Sequence, residues 1–275
     1  MGGSMHRASA KTLASVFTAL MLGLSGSSGS SASLSPLLPG TGNNSEFSVS
    51  KPGFVAKIIS DKGSGSVAYV ATANLTQYKV SIVDVVATLR GTYKLPIFSL
   101  RRLLDIVQPI ALIGGAPSVP GGVPKPYGLL RVRGRTINNL DDEHPDDGVL
   151  CIADTKVSIV TSKQLSSCGD AIQGGLIVVQ RSYASNLINE QEQWNFHSAV
   201  CANDHEISFV ATYKYNFASL ASLMSRRTPQ GLGCDAGLLL SDGPSAAMSV
   251  HAARGFSAVG YPDALFSSAL ELTAR

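Results

Sequence analysis

Apolar residues come along this chain in short blocks divided by Gly, Ser, Asn and Pro. Phe54–Ser60, Val67–Ala73 and Val80–Leu89 are rich in Val, Ile, Tyr and Thr, which predicts a meander of strands. Ser99 then precedes Leu100, Leu103, Leu104 and Val107, an N-cap followed by one apolar helical face, and Pro109 stops that helix. Ile110–Ile113 resumes as a buried strand ending at Gly114-Gly115. The middle of the chain alternates short apolar runs with turn residues, predicting strands at Gly128–Val132, Val149–Ala153, Val157–Thr161 and Leu176–Gln180. Later, Asn216 caps a helix carrying Phe217, Leu220, Leu223 and Met224, and Gly237–Leu240 forms a strand running into Asp242-Gly243. A helix, a buried strand and a glycine turn therefore occur twice, around residues 99–115 and 216–243. No short-period repeat is present, which argues against a solenoid or propeller. The expected fold is a single α+β domain over 53–275, with a mixed, mainly antiparallel sheet core and a few helices.

The ends of the pattern differ from its body. His6, Arg7 and Lys11 precede an apolar run from Leu13 to Leu24, and small residues follow to Ser33, the layout of a secretory signal over residues 1–32. The alternative, an uncleaved anchor, is disfavoured because about 12 apolar residues fall short of the roughly 20 that cross a bilayer core. Residues 33–52 read as a flexible leader rich in Ser, Gly, Pro and Asn. No later stretch is long and apolar enough to span a membrane, so a secreted or periplasmic protein is expected.

Composition narrows the partners. With 44% hydrophobic and 15% charged residues the chain can bury a large core. The formal charge of +3 drops to +1 without Arg7 and Lys11. This near-neutral balance gives no electrostatic reason to expect a nucleic-acid partner or an anionic membrane surface. Cys151, Cys168, Cys201 and Cys234 are even in number and lie in the folded part. Export favours two disulfides over zinc, which usually draws on closely spaced Cys-x-x-Cys or His partners absent here. Three pairings are possible, of which Cys151–Cys168 with Cys201–Cys234 closes the shortest loops.

Gly114-Gly115, Gly174-Gly175 and Asp242-Gly243 each follow an apolar run, where glycine permits a turn or the close approach of a ligand. Their order and surroundings carry a resemblance. The segments are Ile110-Ala111-Leu112-Ile113-Gly114-Gly115, Pro126-Tyr127-Gly128 with Gly134, Ala171-Ile172-Gln173-Gly174-Gly175, His197-Ser198-Ala199-Val200 and Ala236-Gly237-Leu238-Leu239-Leu240-Ser241-Asp242-Gly243-Pro244-Ser245. In this order they resemble the phosphodiester glycosidases of the uncovering-enzyme type, over most of Ile110 to Ala247. The family pattern departs at several polar positions. Ile113 stands where the family has Asn, Ala116 where it has Phe, His197-Ser198 where it has Arg-Thr, Leu239 where it has Asn, and Ser241 where it has Asp. Asp242 keeps a carboxylate one position late, which on a strand turns it to the opposite face unless the backbone bends locally.

The resemblance implies hydrolysis of a sugar-1-phosphodiester linkage in a glycan. Asp242 would be the acid or base, and His197 would stand beside phosphate in place of Arg. Gln173 and the amides of Gly114, Gly115, Gly174 and Gly175 would hold substrate oxygens, with Ser198, Gly243 and Ser245 lining the site. Arg binds a phosphodiester bidentately, whereas His does so only when protonated and with fewer donors. The alternative is therefore a catalytically inactive glycan-binding protein of the cell envelope using the same cleft. Neither cofactor nor metal is called for.

Three further patterns have plainer explanations. His197, Ser198 and Asp170 do not make a nucleophilic triad, because neighbours on a strand face opposite ways and no Gly-x-Ser-x-Gly elbow surrounds a serine. Asp141-Asp142-Glu143-His144-Pro145-Asp146-Asp147 lacks the EF-hand spacing and reads as a solvated acidic loop. Trp194, Phe196, Tyr213, Tyr215 and Tyr127 could stack on a sugar ring, but core packing explains most of them equally well.

Overall fold

The structure is a computed structural model. It describes residues 37, 47–61, 63–94, 97–119, 122–144, 147–153, 155–185 and 195–275. The expected signal peptide, most of the leader and Trp194 lie outside the described residues.

The first half comprises β1 (Val49–Lys51), β2 (Phe54–Asp61), β3 (Ser66–Asn74), β4 (Tyr78–Asp84), α1 (Val85–Thr92), α2 (Leu100–Val107), β5 (Ala111–Gly114), β6 (Ser118–Val119), β7 (Lys125–Pro126), β8 (Leu130–Val132) and β9 (Arg135–Asn138). The second comprises β10 (Asp147–Ala153), β11 (Lys156–Thr161), β12 (Asp170–Gln180), β13 (Tyr183–Ala184), β14 (Asn195–Ala202), β15 (Glu206–Tyr215), α3 (Phe217–Ser225), β16 (Ala236–Asp242), β17 (Ala247–Ala252), β18 (Gly255–Gly260) and β19 (Ser268–Ala274). A twelve-stranded sheet runs β1-β2-β3-β15-β14-β16-β12-β10-β11, with β8 and β13 on β12 and β9 on β8. A five-stranded sheet runs β18-β17-β5-β19-β4, and β6 pairs with β7. The fold is a strand-dominated α+β architecture.

Strand alternation sorts the apolar residues into layers. Tyr69, Ala71, Val200, Phe209, Leu238 and Leu240 from the large sheet pack against Ile82, Ile113, Met248, Val250 and Leu270 from the small one. Residues of opposite parity face outward onto helices. Val70, Ala199, Val210 and Leu239 meet Phe217, Leu220 and Met224 of α3. Val83, Leu112, Ala247 and Ala269 meet Val85 and Leu89 of α1 and Leu100, Leu103 and Leu104 of α2. The order is helix, sheet, sheet, helix.

The repeated motif of the sequence has a spatial counterpart. β4 and β5 flank β19, and β15 and β16 flank β14, every pair being antiparallel. In each half, then, helical chain connects two parallel strands across one intervening strand. The caps behave as expected: Ser99 Oγ accepts from Arg102 N, and Asn216 Oδ1 from Ser219 N.

Two boundaries need correction. The strand expected over 80–89 ends at Asp84, whose Oδ1 accepts from Ala87 N at 2.9 Å and starts α1, so a cap overrides the β-preference of Val85 and Val86. The ordered body begins before Gly53. Phe47 is fully buried, edge-on to Tyr69 with centroids 5.2 Å apart, and β1 pairs with β2. Leu37 also exchanges both backbone hydrogen bonds with Gly260 at the end of β18. Among the described residues no helix is long and apolar enough to cross a membrane.

Candidate functional site

The candidate site grows from the pairing of β14 with β16. His197 lies opposite Asp242 and Ser198 opposite Ser241, but Ala199 lies opposite Leu239, so β16 carries one extra residue, Leu240. Such a bulge is the local bend that re-aims a strand end. Ser241 Oγ donates to Ser245 O at 2.7 Å, which leaves Ser198 Oγ to donate to Ser241 Oγ at 2.6 Å. Gly243–Ser245, with Gly243 at φ 52°, forms a 3-10 turn that carries the chain from β16 in the large sheet to β17 in the small one.

The other glycine segments pack against this turn and its strand. A Cβ on Gly114 would stand 3.2 Å from Ser245 O, and one on Gly115 would stand 2.8 Å from Ile172 Cδ1. A Cβ on Gly174 would overlap Leu239 O. Gly114, Gly115, Gly174, Gly175, His197, Ser198, Asp242, Gly243 and Ser245 therefore come from segments in mutual contact. Gly174-Gly175 does not form the turn expected from sequence. It lies inside β12, in the register shift between Gln173, opposite Val149, and Leu176, opposite Asp147, and Gly174 leaves room for Leu239 O of β16.

Three side chains expected to line the site are buried: Ser198, whose Oγ is spent on Ser241 Oγ, and Gln173 and His197. Gln173 is buried, and its amide is spent on backbone: Oε1 accepts from Leu129 N at 3.0 Å and Asp141 N at 2.9 Å, and Nε2 donates to Asp141 O at 3.1 Å. His197 is 3% exposed, lies against Phe217 with centroids 4.8 Å apart, and donates from Nε2 to Tyr215 O at 2.8 Å. Its Nδ1 has no hydrogen-bond partner among the described residues. Burial pushes the His197 pKa down, against the Tyr215 hydrogen bond and the Asp242 charge, which favour the proton. The ring is neutral at pH 7. Asp242 is exposed and remains the carboxylate at the turn.

A depressed histidine pKa makes the unfolded chain the better proton acceptor, so its stabilising effect is complete above the unfolded value of about 6.5 and declines as pH falls below it. Urea denaturation at pH 7.5 and 5.5 should show a loss on acidification that is smaller in His197→Leu. An equal loss in both would remove His197 as its source.

Asp170 Oδ1 accepts from Gly134 N, while His197 and Ser198 bond to different partners, so no Ser-His-Asp triad forms. The cysteines pair as Cys151–Cys168 and Cys201–Cys234. Among the described residues no group of His, Cys, Asp and Glu is arranged to hold a metal ion. Phe196 packs with Tyr213 and Tyr261 in the core, whereas Tyr127 is exposed. Within the acidic segment, Asp141 Oδ2 accepts from His144 Nδ1 at 2.9 Å, and Tyr127 Oη lies 3.2 Å from the same nitrogen. The spacing of Asp141 and His144 was its sole sequence signal.

No protein family matches the chain by sequence, and no curated protein does. Solved structures do match in fold. The catalytic domain of zebrafish N-acetylglucosamine-1-phosphodiester alpha-N-acetylglucosaminidase, auto-inhibited by its pro-peptide, is similar with a TM-score of 0.57, covering 85% of this chain and 87% of that one at 9% identity. A hypothetical protein from Synechocystis is similar with a TM-score of 0.50, covering 81% of this chain and 62% of that one at 10% identity. At these identities the likeness is one of architecture, and the chain has a phosphodiester glycosidase-like fold.

Proposed function

We propose that this protein is exported and binds a glycan where β5, β12 and β16 meet, on a phosphodiester glycosidase-like fold that has lost turnover. The observation that carries this reading is the state of His197. Where the resembling family has an arginine to meet phosphate, this chain has a buried neutral ring already bonded to Tyr215 O. Such a ring supplies neither the charge nor the paired donors that a phosphodiester needs. Gln173, the other expected substrate contact, is committed to backbone groups. Two disulfides fit an exported chain. A glycan array should give saturable binding with no release of free sugar from nucleotide-sugars or other sugar phosphodiesters. Release at an enzymatic rate would overturn the loss of turnover.

Hydrolysis of a sugar-1-phosphodiester is the second reading, favoured by the exposed Asp242 carboxylate beside the glycine turn. There Asp242 would act as the acid or base at the leaving oxygen. Any such activity should fall by about 100-fold or more in Asp242→Asn, within the usual contribution of general acid-base catalysis. Undiminished turnover in that variant would remove Asp242 from the chemistry.

A further inference from the structure

Apart from Asp242, one surface cluster is held by a buried polar clamp that a solvated loop does not require. The chain between β7 and β10 is fastened to β12 by Gln173, which is 2% exposed and bonds Leu129 N together with both Asp141 N and Asp141 O. Gly128, at φ 81°, allows this approach, because a Cβ there would overlap Gln173 Oε1. Asn138 Nδ2 donates to Pro126 O at 3.1 Å and Gly128 O at 2.8 Å, fixing the backbone on either side of Tyr127. Tyr127 N itself donates to Pro117 O at 2.9 Å.

This frame presents three side chains together. Asp141 Oδ1 accepts from Glu143 N and Oδ2 from His144 Nδ1, which sets the imidazole tautomer and leaves Nε2, on a half-exposed ring, with no partner among the described residues. The Tyr127 and His144 rings have centroids 5.8 Å apart at 56°, and Tyr127 is 40% exposed. An aromatic face beside planar hydrogen-bonding groups matches a sugar ring, which offers C–H on one side and hydroxyls at its edge.

We propose that Tyr127, His144 and Asp141 form a binding platform for a neutral pyranose. The proposal rests on the glycan reading above and adds a sugar contact outside the junction of β5, β12 and β16, on the chain between β7 and β10. Local charge selects sugar over phosphate, because Asp141, Asp142, Glu143 and Asp147 lie in this one short segment and repel an anion. The Asp141 hydrogen bond raises the His144 pKa, so the ring keeps its proton to higher pH than a free imidazole does. A hydroxyl can donate to the neutral ring or accept from the charged one, so sugar affinity should change little between pH 5.5 and 8. Inorganic phosphate would instead bind better on acidification.

The test follows the His144 ring resonances by NMR in the full chain, assigned with His144→Gln. The probes are the methyl α-pyranosides of glucose, N-acetylglucosamine, mannose and galactose, with inorganic phosphate alongside. At least one pyranoside should shift the His144 signals saturably. Tyr127→Ala should weaken that binding about tenfold, with Tyr127→Phe affected much less and the melting temperature of both unchanged. Sugar binding that survives Tyr127→Ala but is lost in Asp242→Asn would overturn the platform and leave the glycan reading standing. Absence of binding to these pyranosides and to every glycan on an array would overturn both. Stronger shifts with phosphate than with any pyranoside would refute the neutral-sugar assignment.

Discussion

Replacing Cys201 and Cys234 together by alanine should lower the free energy of unfolding by about 4 kcal/mol, the chain-entropy value for a loop of this size. The two residues are 33 apart in sequence, and both are buried. Cys201 belongs to β14, whereas Cys234 lies on the return from α3 to β16, where its N–H donates to Met224 O at 2.8 Å. The bridge thus ties the α3 connection to the strand bearing His197 and Ser198. A loss of this size corresponds to a fall in Tm of about 10 °C for a domain of some 200 residues. The Cys151–Cys168 pair, only 17 apart, should cost less, about 3 kcal/mol. Calorimetry of the two alanine pairs against the oxidised wild type measures both. A change below about 1 kcal/mol for Cys201/Cys234 would show that the α3 return is constrained without its bridge.

Gly174→Ala should be destabilising by about 3 kcal/mol, the upper part of the usual range for overpacking. The added methyl would overlap Leu239 O and stand 3.1 Å from Leu238 Cγ. A carbonyl in a paired strand cannot move alone, so relief requires β12 and β16 to separate where their pairing begins. The adjacent Gly175→Ala serves as the control, because its Cβ would meet Leu239 Cδ2 at 3.5 Å, an ordinary contact. Urea denaturation of the two variants should therefore differ sharply although they change neighbouring residues identically. Equal stability would mean that β12 and β16 are not in close contact at Gly174. The same contact joins the second and third glycine segments of the candidate site, so this measurement also tests how the site is assembled.

Local signals were legible where one short segment contained the whole cause. Ser99 and Asn216 each carry an oxygen placed to accept from the first turn, and the apolar residues behind them share one helical face. The repeated helix, strand and glycine turn could be read for the same reason. Asp84 shows the limit, because Val85 and Val86 fit a strand equally well until the cap bond is seen. Phe47 was missed because an isolated aromatic among Ser and Asn has no local partner, and its burial depends on Tyr69 in β3.

The site divides along the same line. Which residues occupy the glycine segments, and that a carboxylate stands one position later than the resembling family has it, are properties of the sequence. So are the even cysteine count and the alternation that separates inward from outward residues on each strand. Only the tertiary structure decided which strands became neighbours, because pairing depends on contacts between residues far apart in the chain. It placed Ser198 against Ser241 through a bulge in β16 and set Gly174 beneath Leu239 O. It also turned Gln173 and His197 inward, because Asp141, Leu129 and Tyr215 offered backbone groups that needed partners. A polar side chain in a motif carries no mark of whether it will face a ligand or satisfy its own fold. That choice is made by the backbone groups folding brings within hydrogen-bond reach, and here they claimed both side chains while leaving Asp242 in solvent.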